Sequence, residues 1–213
     1  MRRLLPGFAL LLAALAFGLW ALPHLPPRVV SHWNMAGEAD GTMPRAVAAV
    51  LLPLIGALLG LVFAFLPRAD PRREGLLQGG VWWTLGNAVL AFLACIHVAM
   101  LGYSLGWPIP MSAIGLAAAG VLFILIGFLM PQMQPNWFMG IRTPWTLTSD
   151  TVWRRTHALG GRVFAAAGAV LVVLAFLRPD NGAMIVVVVL AVAVLIPVAV
   201  SYVLWRHETR AKS

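Results

Sequence analysis

Two loops hold most of the polar chemistry of this chain. In the first, His32, Asn34, Glu38 and Asp40 fall within nine residues, with Trp33 among them. An imidazole beside two carboxylates is the donor set of a divalent-cation site or an acid–base pair. No His-x-x-x-His or comparable ligand pair accompanies it, so nothing here specifies a metal. The same residues also read as an amphipathic cap, with Trp33 in the membrane interface while His32 and Asn34 bond to turn backbones. A third reading is contact with a peptide or another ligand. Pro26 and Pro27 stiffen the approach, and Val29 to Trp33 has the look of a short extended strand. Gly37 and Gly41 are expected at tight turns with positive φ.

The second loop runs from Pro131 to about Gly161 and contains Asn136, Gly140, Arg142, Thr143, Trp145, Trp153 and His157. Ser149 or Asp150 is a good helix N-cap. A helix starting there is predicted to run unbroken into the next apolar stretch. Trp153, His157, Gly160 and Phe164 then share one face, and Arg154, Ala158 and Arg162 another. His157 has the chemistry of a general base, and Arg142 that of an anion ligand. Arg142 is predicted to be partly buried, bonded to loop carbonyls or to Asp150. Yet no Ser or Cys nucleophile sits in an elbow, and no Gly-rich phosphate loop precedes a helix. The plainer reading is an amphipathic collar whose cations meet anionic headgroups.

The elements that must position these loops are six apolar stretches, near Leu4–Leu25, Ala46–Leu66, Val81–Tyr103, Met111–Met130, Ala158–Leu177 and Ala183–Trp205. A membrane-spanning helix needs about 20 mostly apolar residues, at about 1.5 Å each, to cross a hydrocarbon core about 30 Å thick. None of the six carries an Asp, Glu or Lys near its middle. In lipid every backbone amide needs a partner within its own segment, which leaves helix as the option. The chain is 61% hydrophobic and only 10% charged over 213 residues, which rules out an ordinary soluble domain.

The predicted fold is therefore an all-α membrane protein, a bundle of six transmembrane helices in a single domain, 1–213. It divides into an N-terminal hairpin over 1–66 and a region over 81–205 with its signature loop at 131–162. Met1-Arg2-Arg3 before an apolar run resembles a secretory signal, but no clean cleavage site follows, so an uncleaved anchor helix is expected. Gly56 and Gly60, and the run Ala165 to Gly168, are expected helix-packing seams. Pro53 and Pro197 are expected to kink their helices. The Val186–Val200 run reads as a lipid-facing helix. In the third stretch Asn87 and His97 are the strongly polar groups, read as satisfied interhelical hydrogen bonds. The single cysteine, Cys95, excludes an intramolecular disulfide and reads as a small buried apolar residue.

Orientation follows from the basic residues. With the N-terminus inside, twelve Lys and Arg fall in inner regions and three, Arg28, Arg45 and Arg178, in outer ones. Basic residues collect in cytoplasmic loops. Both termini are thus expected in the cytoplasm, the first loop outside and the second loop inside as an interfacial extension of the fifth span. The net charge of +8 is spread over these flanks in no long run, which argues against direct contact with nucleic acid.

Leu25-Pro26-Pro27 through His32-Trp33-Asn34, then Gly37-Glu38-x-Asp40-Gly41, resembles the signature of an uncharacterised N-terminal membrane domain. Asn136-x-x-x-Gly140-Ile141-Arg142-Thr143-Pro144-Trp145-Thr146-Leu147, then Trp153-x-x-Thr156-His157-x-x-Gly160-Gly161, resembles the SdpI family signature. The two often occur in one protein in this order. The resemblance implies a multi-pass protein of the bacterial cytoplasmic membrane, in contact with lipid, that gives immunity to a secreted peptide toxin outside. It also implies signalling, by holding a cytoplasmic transcriptional repressor at the membrane. His32, Trp33, Asn34, Glu38 and Asp40 would then face toxin, and the loop residues from Asn136 to His157 would carry the inner response. The family offers no catalytic residues and no cofactor. Rival readings are a metal-dependent intramembrane hydrolase using His32, Glu38 or His157, and a small-solute transporter through the polar third span.

Overall fold

The computed structural model describes residues 2–34, 37–177 and 182–210. Arg178 and Lys212, both counted for orientation, lie outside the described residues. Among the described residues six helices are long and apolar enough to cross a membrane. Their main α-helical segments are α1 (Leu5–Ala21), α2 (Leu51–Phe65), α3 (Val81–Ser104), α4 (Met111–Leu129), α5 (Asp150–Leu177) and α6 (Gly182–Arg210), with short helical turns extending the first four. Each covers one of the expected apolar stretches. The helical membrane bundle is what composition demanded.

Local chemistry sets the helix ends. The first amides of a helix have no partner within it. In α1 the Gly7 N–H donates instead to Asn87 Oδ1 of α3, at 2.8 Å. The Asn87 amide returns two bonds, to the Arg3 carbonyl at 2.8 Å and the Trp83 carbonyl at 2.9 Å. Asn87 is thus a satisfied interhelical link, as expected. His97 is fully buried and turns toward the Ala14 backbone of α1, though neither ring nitrogen makes a bond of full hydrogen-bond geometry among the described residues. Its ring lies against α1 where Gly18 has no side chain. Cys95 departs from expectation. It is exposed on the outside of the bundle, where apolar surroundings suit a thiol as well as burial does.

Pro53 interrupts the second span, since its ring crowds the carbonyl four residues back. The backbone breaks earlier, at Val50, between a short helix Arg45–Ala48 and α2. Pro53 falls in the first turn of α2, where its missing N–H has no intrahelical role. Pro197 lies inside α6, which runs through it as one helix.

Without a hydrophobic drive between helices in lipid, close backbone approach decides which of them pair. Gly56 and Gly60 of α2 are buried against Leu11 and Phe8 of α1, where an added Cβ would come within 2.6 and 2.4 Å. The most extensive seam joins α4 to α5. A Cβ on Gly127 would meet the Gly161 carbonyl at 2.6 Å, and one on Gly168 the Gly120 carbonyl at 2.5 Å. In both cases the nearest atom opposite is backbone, which cannot swing aside. Helix α6 rests one side on α5 and leaves Val187, Val188, Val194 and Leu195 exposed, as a lipid-facing helix should.

A small β-hairpin interrupts the helices. Strand β1 (Arg28–Trp33) pairs antiparallel with β2 (Ala39–Pro44), from Arg28 opposite Pro44 to Trp33 opposite Ala39. Val29 anchors it, fully buried with Ala21, Leu25, Ala48, Leu101 and Met111. The hairpin therefore seats on the ends of α1, α3 and α4. The loop between α4 and α5 lies at the opposite end of the bundle.

Candidate functional site

At the hairpin end, the five expected residues come together in two pairs and an anchor. His32 faces Gly41 across the strands, and its Nδ1 lies 2.5 Å from Asp40 Oδ1. Gly41 has no positive φ, contrary to expectation. Its role is space: a Cβ there would stand 2.9 Å from the His32 Cβ and push the ring off its partner. Gly37 does have φ +83 and forms the turn. Asn34 closes that turn. Its Nδ2 donates to Glu38 Oε2 at 2.9 Å, while its Oδ1 accepts from the Glu38 N–H at 3.0 Å.

His32 and Asp40 are exposed, at 70% and 43% of their side chains. Trp33 points the other way, edge-on to Tyr103 of α3 with ring centroids 5.4 Å apart. Its Nε1 is buried and has no partner among the described residues. The hairpin thus presents His32, Asp40, Asn34 and Glu38 as a polar cluster on an aromatic base. Among the described residues no group of three or more His, Cys, Asp or Glu is gathered as metal ligands.

At the other end, the signature residues build a clasp around two buried polar side chains. Asn136 is fully buried. Its Nδ2 donates to the Gln134 and Met139 carbonyls at 2.9 and 3.0 Å, and its Oδ1 accepts from the Phe138 and Met139 amides at 2.9 and 2.7 Å. One side chain thereby folds the 134–139 segment around itself.

His157 is the second, at 1% exposure. Its Nδ1 lies 2.9 Å from the Trp153 carbonyl and its Nε2 accepts from the Ile141 N–H at 3.0 Å. Those partners require a neutral ring with the proton on Nδ1. Both nitrogens are committed, so His157 is left with no lone pair for base chemistry or a metal. Gly140 makes this approach possible. It has φ +106, and a Cβ there would meet His157 Nε2 at 2.3 Å.

Trp153 stacks on His157 with centroids 4.1 Å apart, and its Nε1 donates to the Met133 carbonyl at 2.8 Å. As predicted, α5 starts at Asp150 and runs unbroken to Leu177. Ser149 serves at its start, with Oγ accepting from the Val152 N–H at 3.2 Å. Trp153, His157 and Gly160 face inward, Phe164 is half-buried, and Arg154 and Arg162 face out. Thr143 caps a short helix, Pro144–Thr148, in a reciprocal box with Thr146. Trp145 of that helix donates to Ser201 Oγ of α6 and packs edge-on to Tyr202.

Arg142 corrects one expectation. It is exposed rather than partly buried, with Nη1 donating to the Trp137 carbonyl. Asp150 pairs with Arg72 instead, at 3.7 Å. The organising role expected of Arg142 falls to Asn136 and His157. These are neutral groups that can be buried without the desolvation penalty of a guanidinium.

Some residues were missed. Asp70, 5% exposed, accepts from the Arg72 N–H at 2.7 Å and the Trp137 N–H at 3.1 Å, tying the α2–α3 connection to the clasp. The available signal was Asp70-Pro71, a turn-initiating pair. Ser201 and Glu208 of α6 bond Trp145 and Ser149, and nothing in their local sequence marks them.

Fold and site together define a multi-pass membrane protein with one built polar feature at each end of its bundle. Residues 132–201, which include the clasp, match the SdpI/YfhL protein family, and residues 9–57, which include the hairpin, match a domain of unknown function, DUF1648. Over residues 132–201 the chain is similar to the SdpI/YfhL family. Immunity protein SdpI of Bacillus subtilis (strain 168) is 24% identical over 180 residues, which cover 84% of each chain. No solved structure matches this chain.

Proposed function

We propose that this chain is a membrane immunity protein, oriented with both termini in the cytoplasm, whose hairpin meets a secreted antimicrobial peptide. The supporting observation is its similarity along 84% of its length to a relative named as an immunity protein. The hairpin is the feature suited to meet a peptide, because it offers exposed, mutually paired polar groups. The clasp sits at the other end and ties the connections after α2 and α4 to the starts of α5 and α6's last turns. It is suited to pass a change in helix packing to a cytoplasmic repressor.

His32→Asn tests the hairpin. An exposed polar pair of this kind is worth only about 0–1 kcal/mol, so stability and membrane level should hardly change. Protection of a peptide-sensitive host by the expressed variant should be lost. Intact protection would remove the hairpin from the proposal, and a matching loss of membrane level would make His32 a folding residue only.

Orientation is tested with single cysteines at Ala39 and Thr148 in a Cys95→Ala background. In intact cells an impermeant thiol reagent should label position 39 and leave position 148 untouched until the membrane is opened. The reverse pattern would invert the assignment.

A further inference from the structure

A cleft of about 240 Å³ opens beside the clasp, between the Gly140–Thr143 segment, Phe164 of α5 and Ala193, Val194 and Val198 of α6. Its wall on the helices is wholly apolar. Its rim carries Arg142. We propose that this cleft is a binding site for an anionic phospholipid, with the phosphate on Arg142 and the start of an acyl chain against Phe164, Val194 and Val198.

Three observations carry this. The first is an unused charge. A guanidinium has five N–H donors. Among the described residues Arg142 makes one hydrogen bond, to the Trp137 carbonyl, and no carboxylate pairs with it. The nearby acids are engaged elsewhere: Asp70 with backbone amides, Asp150 with Arg72, and Glu208 with Ser149. The bond to Trp137 fixes one edge of the fork and leaves the rest free for a bidentate hold on phosphate.

The second is depth. Val194, Val198, Tyr202 and Arg206 follow one another at four-residue spacing along one ridge of α6. Tyr202 lies about 6 Å beyond Val198 along the helix. Tyr and Trp favour the headgroup level. The cleft therefore lies just on the hydrocarbon side of that level, where a lipid phosphate and its first methylenes reside. Arg206, 6.0 Å over the Tyr202 ring, places a further cation on the outer side.

The third is the mixed lining. A free anion gains nothing from Phe164, Val194 and Val198, whereas an acyl chain does. Basic pockets between transmembrane helices suit anionic headgroups for this reason.

The test uses the full chain, purified in a neutral detergent and titrated with phosphatidylglycerol or phosphatidylcholine under native mass spectrometry. Wild type should retain phosphatidylglycerol about fivefold better, equivalent to ~1 kcal/mol for one arginine at an anionic surface. Arg142→Ala should bring the two lipids to parity. Arg73→Ala removes an equal charge at the same end of the bundle and should keep the preference. Equal loss in both variants would mean diffuse surface charge and overturn the site. Val198→Trp fills the cleft, leaves the loop untouched and carries the test if Arg142→Ala does not fold; it too should abolish the preference. Full retention in Val198→Trp, or displacement of the lipid by millimolar inorganic phosphate, would mean a simple anion contact and overturn the lipid assignment.

Discussion

Gly140→Ala is expected to damage this protein more than any other addition of one methyl group to its loops. The backbone at Gly140 has φ +106, where an L side chain is strained, and the new Cβ would stand 2.3 Å from His157 Nε2. Backbone strain of this kind and overpacking in a filled site each contribute about 1–3 kcal/mol, so the sum is about 2–6 kcal/mol. The ring cannot retreat, because Trp153 stacks on it and its Nδ1 is held by the Trp153 carbonyl. Thermal unfolding of the purified variant in detergent should show the loss. The His157→Ala, Gly140→Ala double variant should lose less than the sum of the two singles, because truncating His157 removes the ring that the new Cβ strikes. Stability equal to wild type in the single variant would mean that the Gly140 turn does not approach His157 as described.

Asn136→Ala should be comparably destabilising for a different reason. The substitution strands the Gln134 and Met139 carbonyls and the Phe138 and Met139 amides, which are all bonded to that one side chain. Each buried group left without a partner costs about 1–3 kcal/mol, and water reaching the half-buried ones reduces the total. We expect a loss of at least about 3 kcal/mol. Asn136→Asp should not rescue it, because a carboxylate keeps the acceptors but turns negative oxygen toward two carbonyls. The readout is protease sensitivity of the 131–149 segment together with the unfolding midpoint. An Asn136→Asp variant as stable as wild type would show that the donor side of this residue is dispensable.

Both predictions concern residues that were legible by type but not by role. The sequence singled out Asn136, Gly140, Trp153 and His157 through a family resemblance. It also placed Trp153 and His157 on one face of a helix starting near Ser149. It did not show that Asn136 organises its own loop, because four bonds to neighbouring backbone depend on a loop path that no periodicity encodes. Nor did it show that His157 has both nitrogens engaged, since the Ile141 amide reaches it only after the chain has turned at Gly140. The expectation for Arg142 failed for a related reason. A guanidinium placed just before the Trp153 and His157 face suggested burial, but two neutral polar side chains could fill the interior at lower cost in desolvation.

The hairpin end shows the same division. Val29 to Trp33 was readable as a strand, while its partner Ala39–Pro44 was not, because Ala, Asp, Gly and Pro are poor strand formers. Pairing with β1 over a buried Val29 overrode that preference. His32 and Asp40 were adjacent in composition, but only the register across Gly41 makes them partners.

The sequence by itself determined the class of the molecule. Six apolar stretches of bilayer length leave the backbone no partners except within helices, and that holds whatever the helices do next. It also determined where the polar chemistry had to lie, since charged residues are kept from the middles of the spans and collect at their ends and in the connections. The tertiary structure decided which helices meet and what the loops become. In lipid, burial of apolar surface does not select one helix pair over another, so selection falls to backbone approach at Gly120, Gly127, Gly161 and Gly168. Those glycines carry their meaning only when α4 and α5 are face to face, and the clasp at their shared end exists only because that seam brings Met133, Ile141, Trp153 and His157 together.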